Sequence, residues 1–256
     1  MNEDLTFAHQ LADVADSISM KWFRAVELRV ETKADFTPVS EADRGVEEAL
    51  RERITAERHG EGVIGEEFGA EDAPGGRWIL DPIDGTKNFV RGIPIWATLI
   101  ALERDGVVQA GLASAPALGR RWWAARGEGA FADGDRIIVS RVNRLQDAQV
   151  CFGGVRTWKK TGLLDNFLAL ATRAGRTRGF GDFWMHMLVA EGAADVAAEM
   201  EVSIWDLAAV QVIVEEAGGR FTDLSGRATP SGGSAVSTNG LLHDEVLQTL
   251  NQASSA

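Results

Sequence analysis

The stretch from Trp78 to Ser140 constrains the fold most. It reads as a run of strands joined by tight turns, set between two regions of helical character. Ile95 to Arg104 and Val107 to Ala115 are apolar segments that flank Asp105-Gly106. Asp-Gly favours a two-residue hairpin turn, because both central residues must take positive φ. Asp133-Gly134 gives the same signal between Gly129–Phe131 and Arg136–Ser140, with Arg121–Ala125 just before. The spacing therefore predicts an antiparallel meander, preceded by the short buried strands Val63-Ile64 and Trp78–Leu80.

A meander needs cover on its apolar face, and the flanking sequence supplies it. Leu5, Ala8, Leu11, Ala12, Ala15, Ile18 and Trp22 form one helical stripe, predicting a helix over Leu5 to Val26. Glu41 to His59 is a second helix, with Val46, Leu50 and Ile54 inward, and a turn-rich segment around Pro38 separates the two. Beyond the meander, strand and helix alternate. Gln149–Phe152 and Asp195–Glu199 read as strands; Leu163–Ala174, Asp182–Glu191 and Ser203–Ala217 read as helices. Asp182 is the expected N-cap of its helix. Ser203-Ile-Trp-Asp206 opens the last of them as a capping box, and Gly218-Gly219 stops it. No linker divides the chain. The layout predicts α+β layers in one unit over 1–256, with an N-terminal part of about 1–140 and a C-terminal α/β part of about 141–256.

Charge narrows the function. There are 26 Lys and Arg against 38 Asp and Glu, a net charge of −12. Such a surface repels a nucleic-acid backbone, so no nucleic-acid partner is expected. It also repels phosphate esters unless bound cations invert the local charge. The single Cys151 excludes an internal disulfide and fits a buried, inert thiol. The apolar run Ile93–Leu102 is far shorter than the ~20 residues of a membrane span. With no leader-like pattern at Met1–Asp4, the expectation is a cytoplasmic protein with no membrane partner.

Acidic residues recur at element ends. Asp81-Pro-Ile-Asp84-Gly85-Thr86 follows the strand Trp78–Leu80, so two carboxylates sit just beyond it. Gly85-Thr86 then leads into a helix start, where free amides gather. Glu66 follows Val63-Ile64, and Asp206 lies in a first helical turn. Read singly, each has an ordinary explanation: a turn, a cap, a favourable helix dipole. Brought together, Glu66, Asp81, Asp84 and Asp206 repel one another and call for a hard cation such as Mg²⁺. By contrast, Gly60-Glu-Gly62-Val-Ile-Gly65 matches a dinucleotide fingerprint only by spelling. Its context is a charged helix before and a strand within. His186, in Trp-Met-His-Met, reads as a packing residue with no chemical role.

These segments resemble the inositol monophosphatase family. The resemblance is carried by Gly65-Glu66-Glu67, Asp81-Pro-Ile-Asp84-Gly85-Thr86 and Trp205-Asp206 followed by Glu216-Ala-Gly-Gly219, with Lys33-Ala-Asp and Ser40-Glu-Ala-Asp43 ahead of them. It implies an αβαβα sandwich, usually dimeric, that hydrolyses phosphomonoesters with Mg²⁺, two or three ions per site. It implies Glu66, Asp81, Asp84, Asp206 and the Ile83 carbonyl as metal ligands, with Asp81 bridging. Glu66, Asp43 and Thr86 become the catalytic set, the latter two orienting the attacking water. Gly85 and Thr86 hold phosphate, and Glu199 and Asp206 contact the substrate's organic part. Gly181-Asp182-Phe183-Trp184 further resembles the histidinol-phosphate phosphatase branch. Asp182 and Glu199 would suit a cationic amine, with Phe183 or Trp184 against an imidazole. An inositol or sugar monophosphatase, an aspartyl-phosphate phosphatase of the haloacid dehalogenase type and a metal-binding regulatory protein are the alternatives. The second fits poorly, since its DxDGT motif is one residue shorter than the motif here.

Overall fold

Helix α1 (Glu3–Trp22) begins at Asn2, whose side chain accepts the Leu5 amide, and it buries Leu5, Phe7, Ala8, Leu11, Ala12 and Ala15 along one stripe. The computed structural model describes residues 2–32 and 38–252; Lys33-Ala-Asp lies outside them. The helix stops four residues before the expected Val26, because Phe23 turns extended and Arg24 takes φ 64°. Strand β1 (Val30–Thr32) pairs antiparallel with β2 (Pro38–Ser40), so Pro38 opens a strand where a turn was expected. The first position of a strand is one that proline tolerates. Helix α2 (Glu41–Glu57) follows at once, capped by Ser40.

The meander is larger than predicted. Strands β3 (Gly62–Gly65), β4 (Gly69–Glu71) and β5 (Arg77–Asp84) precede the short helix α3 (Thr86–Val90). Then come β6 (Ala97–Arg104), β7 (Val107–Ala115), β8 (Arg120–Ala125), β9 (Gly129–Ala132) and β10 (Asp135–Ile137). They form one eight-stranded sheet in the order β10-β9-β8-β7-β6-β5-β3-β4, antiparallel except where β3 meets β5. Both Asp-Gly turns take positive φ at both residues, as their sequence requires: 53° and 73° at Asp105-Gly106, 52° and 102° at Asp133-Gly134. Strand β10 ends short of Ser140 because the Val139 amide leaves the sheet for the Ala217 carbonyl.

The second sheet is built from β11 (Gln149–Phe152), β12 (Arg176–Arg178), β13 (Val196–Met200), β14 (Arg220–Thr222) and β15 (Ser234–Thr238), in the order β12-β11-β13-β15-β14. Between these run α4 (Val155–Lys160), α5 (Leu164–Arg173), α6 (Asp182–Ala190), α7 (Ile204–Glu216) and finally α8 (His243–Leu250). Side-chain alternation decides the layering. Trp78, Leu80, Ile100, Leu102 and Leu112 face α1 and α2, while Ile79, Leu99, Ala101, Ala113 and Trp122 face α6 and α7. Cys151 and Ala197 of the second sheet pack against Met185 and Val189 of α6. Val150, Val196 and Val236 face α5 and α8 on its far side. The result is the expected αβαβα sandwich. Helix α7 lies between two sheets and buries all eight residues from Leu207 to Val214, as a helix that is apolar all round must. Its approach to β7 is so close that a Cβ at Gly111 would lie 2.8 Å from the Ala209 Cα. Among the described residues no helix is long and apolar enough to cross a membrane.

Candidate active site

Strand β5 does not end before its carboxylates; it carries them. Asp81 pairs with Leu99 and Asp84 with Ala97, so three steps on β5 match two on β6. Such an irregularity re-aims side chains at a sheet's rim. The Thr98 hydroxyl pins the bulge by donating to the Pro82 carbonyl at 2.8 Å, and the Ile83 amide donates to Asp81 Oδ1 at 3.0 Å. Asp81 and Asp84 are thereby turned inward and buried. Gly85 follows at φ 84°, a conformation that favours glycine, and lets the chain turn into α3.

The capping-box reading of Asp206 is correct and incomplete. As the third residue of α7 it accepts the Ser203 amide on Oδ2 at 2.6 Å. The same placement brings its carboxylate to β5. Asp81, Asp84 and Asp206 each offer an oxygen within 4.8 Å of the others. Their protonation reports the crowding. Burial, then the charges of Glu66, Asp84 and Asp206, hold Asp81 well above the usual carboxylate range. Burial, Asp182 and Asp206 do the same to Asp84, offset in part by the Phe183 amide. Burial pushes Asp206 up to about 7. Three crowded carboxylates, those of Asp81 and Asp84 buried and that of Asp206 half-buried, form a donor set suited to a hard divalent ion.

Glu66 lies in the turn between β3 and β4 and lines the same cavity of about 140 Å³, although it falls outside the close triad. Its turn is anchored by a residue that sequence reasoning passed over. Glu47 of α2 is fully buried and accepts the amides of Glu67 at 2.7 Å and Phe68 at 3.1 Å. Arg51, one turn on, donates to Glu47 at 2.8 Å and also to the Gly69 carbonyl. Gly65 is required here, since a Cβ would fall 2.1 Å from Glu47 Oε1. The i,i+4 spacing of Glu47 and Arg51 was visible, but its destination was not.

Asp43 and Thr86 do meet. Asp43 Oδ2 completes the α2 capping box, accepting the Ser40 amide at 2.8 Å and the Ser40 hydroxyl at 2.6 Å. Its Oδ1 lies 3.2 Å from the Thr86 hydroxyl, which also lies 3.0 Å from the Ile83 carbonyl. One hydroxyl proton can serve one of these acceptors at a time. Burial raises the Asp43 carboxyl.

A second cavity of about 490 Å³ opens from the first and shares Asp84, Lys87, Asp182 and Asp206 with it. Asp182 is not the N-cap of α6, as the sequence suggested. Gly181 holds that position without a side-chain cap bond, and the Phe183 amide donates to Asp84 Oδ2 at 2.6 Å. Asp182 instead sits at φ 52° with its carboxylate accepting from Asn88 at 3.2 Å. Burial and the Glu199 charge push it up to about 7. Positive φ at a non-glycine costs on the order of 1–3 kcal/mol and is commonest where a side chain is held for a purpose. Glu199 of β13 lines the same cavity, as do the aromatic rings of Phe152 and Phe180. Phe183 is buried against Trp122 rather than presented to a ligand, and Trp184 packs on Phe180 at a ring separation of 4.8 Å. His186, read as packing alone, is buried with Nε2 2.9 Å from Glu199 Oε1.

Comparison with known proteins gives this arrangement relatives. The chain is 55% identical to a histidinol-phosphatase of Mycobacterium tuberculosis, over 98% of each chain, and 51% identical to one of Streptomyces coelicolor, over 98% of this chain and 97% of that one. Among solved structures it resembles the Thermotoga maritima IMPase (31% identity, TM-score 0.87, 98% and 97% of the chains). It also resembles the extragenic suppressor protein suhB of Bartonella henselae (29% identity, TM-score 0.91, 98% and 100%). The inositol monophosphatase family model matches residues 1–255, and with these relatives it establishes that the chain belongs to the inositol monophosphatase family.

Proposed function

We propose that the chain hydrolyses L-histidinol phosphate to L-histidinol and phosphate, with Mg²⁺ as cofactor. One observation carries the choice of substrate. The cavity beside the carboxylate triad is itself acidic, with Asp182 and Glu199 in its wall, so it suits a phosphate ester whose organic part is cationic. The likeness to histidinol-phosphatases supports the same reading.

Asp81, Asp84, Asp206, Glu66 and the Ile83 carbonyl would hold the ions, two or three per site. Bound there, Mg²⁺ supplies the positive charge that a phosphate ester needs in an acidic protein and lowers the pKa of water. The protein's own groups do the rest. With its proton given to Asp43, the Thr86 oxygen presents lone pairs to a water and so fixes that water's orientation. Glu66, which lines the same cavity, would accept a proton from that water. The glycine at position 85 leaves the first amides of α3 accessible to phosphate oxygens. Lys87 adds a cation at the junction of the two cavities. Asp182, Glu199 and Asp206 orient the organic part, and the Phe152 and Phe180 rings offer apolar faces to an imidazole. The reading extends to a cytoplasmic homodimer. The lone Cys151, buried with its thiol pushed up by burial, fits a reducing compartment.

The test is phosphate release with Mg²⁺ on L-histidinol phosphate and on inositol 1-phosphate at equal concentration. A preference of ~100-fold for the former, about 2.7 kcal/mol, is the expected result. The reverse preference keeps the phosphatase and removes the amine-binding role of Asp182 and Glu199.

A further inference from the structure

We infer that His186 is a positioning residue for substrate selection: it fixes the Glu199 carboxylate so that one oxygen is left to take the cationic group of the substrate. The inference rests on the proposed function and goes beyond it, because it concerns a buried residue that touches no ligand.

Three elements meet here. His186 lies on α6 one helical turn after Asp182, so the two share a face. Glu199 is on β13 and Ser237 on β15, which pair antiparallel with Ala197 opposite Ser237 and Glu199 opposite Ala235. The ring of His186 spans between them. Nε2 lies 2.9 Å from Glu199 Oε1 and Nδ1 lies 2.7 Å from Ser237 Oγ. His186 and Ser237 are both fully buried.

The chemistry assigns the protons. A carboxylate only accepts, so Nε2 carries the proton and donates to Glu199. In that tautomer Nδ1 is an acceptor, placed for the Ser237 hydroxyl to donate to it. Both ring nitrogens are then satisfied, and the ring can neither flip nor rotate without losing both bonds. Glu199 keeps its second oxygen. A Cβ at Gly153 would come within 3.3 Å of Glu199 Oε2, so glycine is what leaves that oxygen room on the cavity side. A carboxylate that is nearly buried needs such a partner, or its desolvation is uncompensated. Of the other acids lining the cavity, Asp84 and Asp206 belong to the carboxylate triad, and Glu201 is engaged by Lys160. Asp182 and Glu199 are thus the acids facing a bound amine or imidazolium from two sides, and the Asn88 amide and the His186 imidazole hold them in place.

A histidine that merely fills the core would affect every substrate alike, and this separates the two roles. The measurement is kcat and KM at saturating Mg²⁺ on L-histidinol phosphate and on glycerol 2-phosphate, whose organic part is neutral. Relative to wild type, H186M should lower the ratio of kcat/KM between the two esters about 10-fold, mainly through KM of the cationic ester, as loss of a hydrogen bond to a charged group implies. H186Q should recover most of that ratio, because its amide nitrogen can occupy the Nε2 position. S237A, which frees only the far side of the ring, should lower it roughly threefold and serves where H186M does not fold. E199Q is the reference: if it leaves the ratio unchanged, the reading of the cavity as a cation site fails. If E199Q lowers the ratio while both H186M and S237A leave it unchanged, or depress the two esters equally, the positioning role of His186 is overturned.

Discussion

A carboxylate has two oxygens, and several acids at this site use them separately. Asp206 Oδ2 accepts the Ser203 amide, Asp43 Oδ2 accepts the Ser40 amide, and Asp84 Oδ2 accepts the Phe183 amide of α6. The capping motif is therefore not an alternative to the chemical role; it orients the residue for it. This is why the capping box was legible at Ser203 while the use of the opposite oxygen was not. His186 and Glu47 were illegible for a related reason. Their partners lie on other elements, and no local spacing predicts a partner 13 or 20 positions away. A third buried group makes a clean prediction at this scale. His243 is fully buried between Thr222 and Thr238, both at 3.0 Å, and burial lowers it from 6.5 to about 4. Folded His243 stays neutral where the unfolded chain is protonated. The unfolded state thus binds more protons between pH 6.5 and 4, and stability falls as pH falls through that window. Urea unfolding at pH 7 and pH 5 should show a loss of about 2 kcal/mol in the wild type beyond that in H243Q. Parallel pH dependence in the two proteins would contradict it.

At the scale of elements, the long periodic segments were readable and the short ones were not. The stripe of α1, the hairpins around β6 to β10 and the capped helix α7 all carry a pattern over many residues or a turn with a steric requirement. The three-residue strands β4, β12 and β14 offer no period to detect; α8 buries Val246 and Leu250 one turn apart against α5 and the second sheet, a short period that was passed over. The strand β5 was cut short at Leu80 because Asp and Pro argue against a strand interior; tertiary context overrides that at a rim. One consequence belongs to the β3–β4 turn. Its amides are held by Glu47 from α2, so the position of Glu66 depends on a residue outside the cavity wall. E47Q should raise the Mg²⁺ concentration for half-maximal activity about 10-fold while kcat recovers at saturating Mg²⁺. Mn²⁺ titration calorimetry should show the same weakening. A lower melting temperature with unchanged metal affinity would make Glu47 a packing residue only.

For the whole molecule, the site is a concentration of like charge inside a largely apolar sandwich. Two sheets and α7 bring Asp81, Asp84 and Asp206 together because their own cores pack well, and the acids must follow. Burying like charges is unfavourable, so the metal-free fold carries a penalty that a bound cation removes. Two measurements follow from this one balance. Adding Mg²⁺ at ~100 times its dissociation constant should stabilise the protein by about 2.7 kcal/mol, some 5–10 °C in Tm for a chain of this size. D84N should relieve the penalty and weaken the binding together. Asparagine keeps an oxygen for the Phe183 amide, so the helix contact survives while one charge is gone. The metal-free variant should then melt above the metal-free wild type, its Mg²⁺-induced rise should shrink to a few degrees or less, and its kcat should drop by at least ~100-fold. A D84N protein that melts below wild type in chelator and still gains the full Mg²⁺ increment would show that Asp84 is neither a source of the strain nor a ligand. Greater stability with lost turnover would instead place the destabilised cluster where function needs it, since acids that repel one another in the empty fold are the ones that bind a cation most strongly.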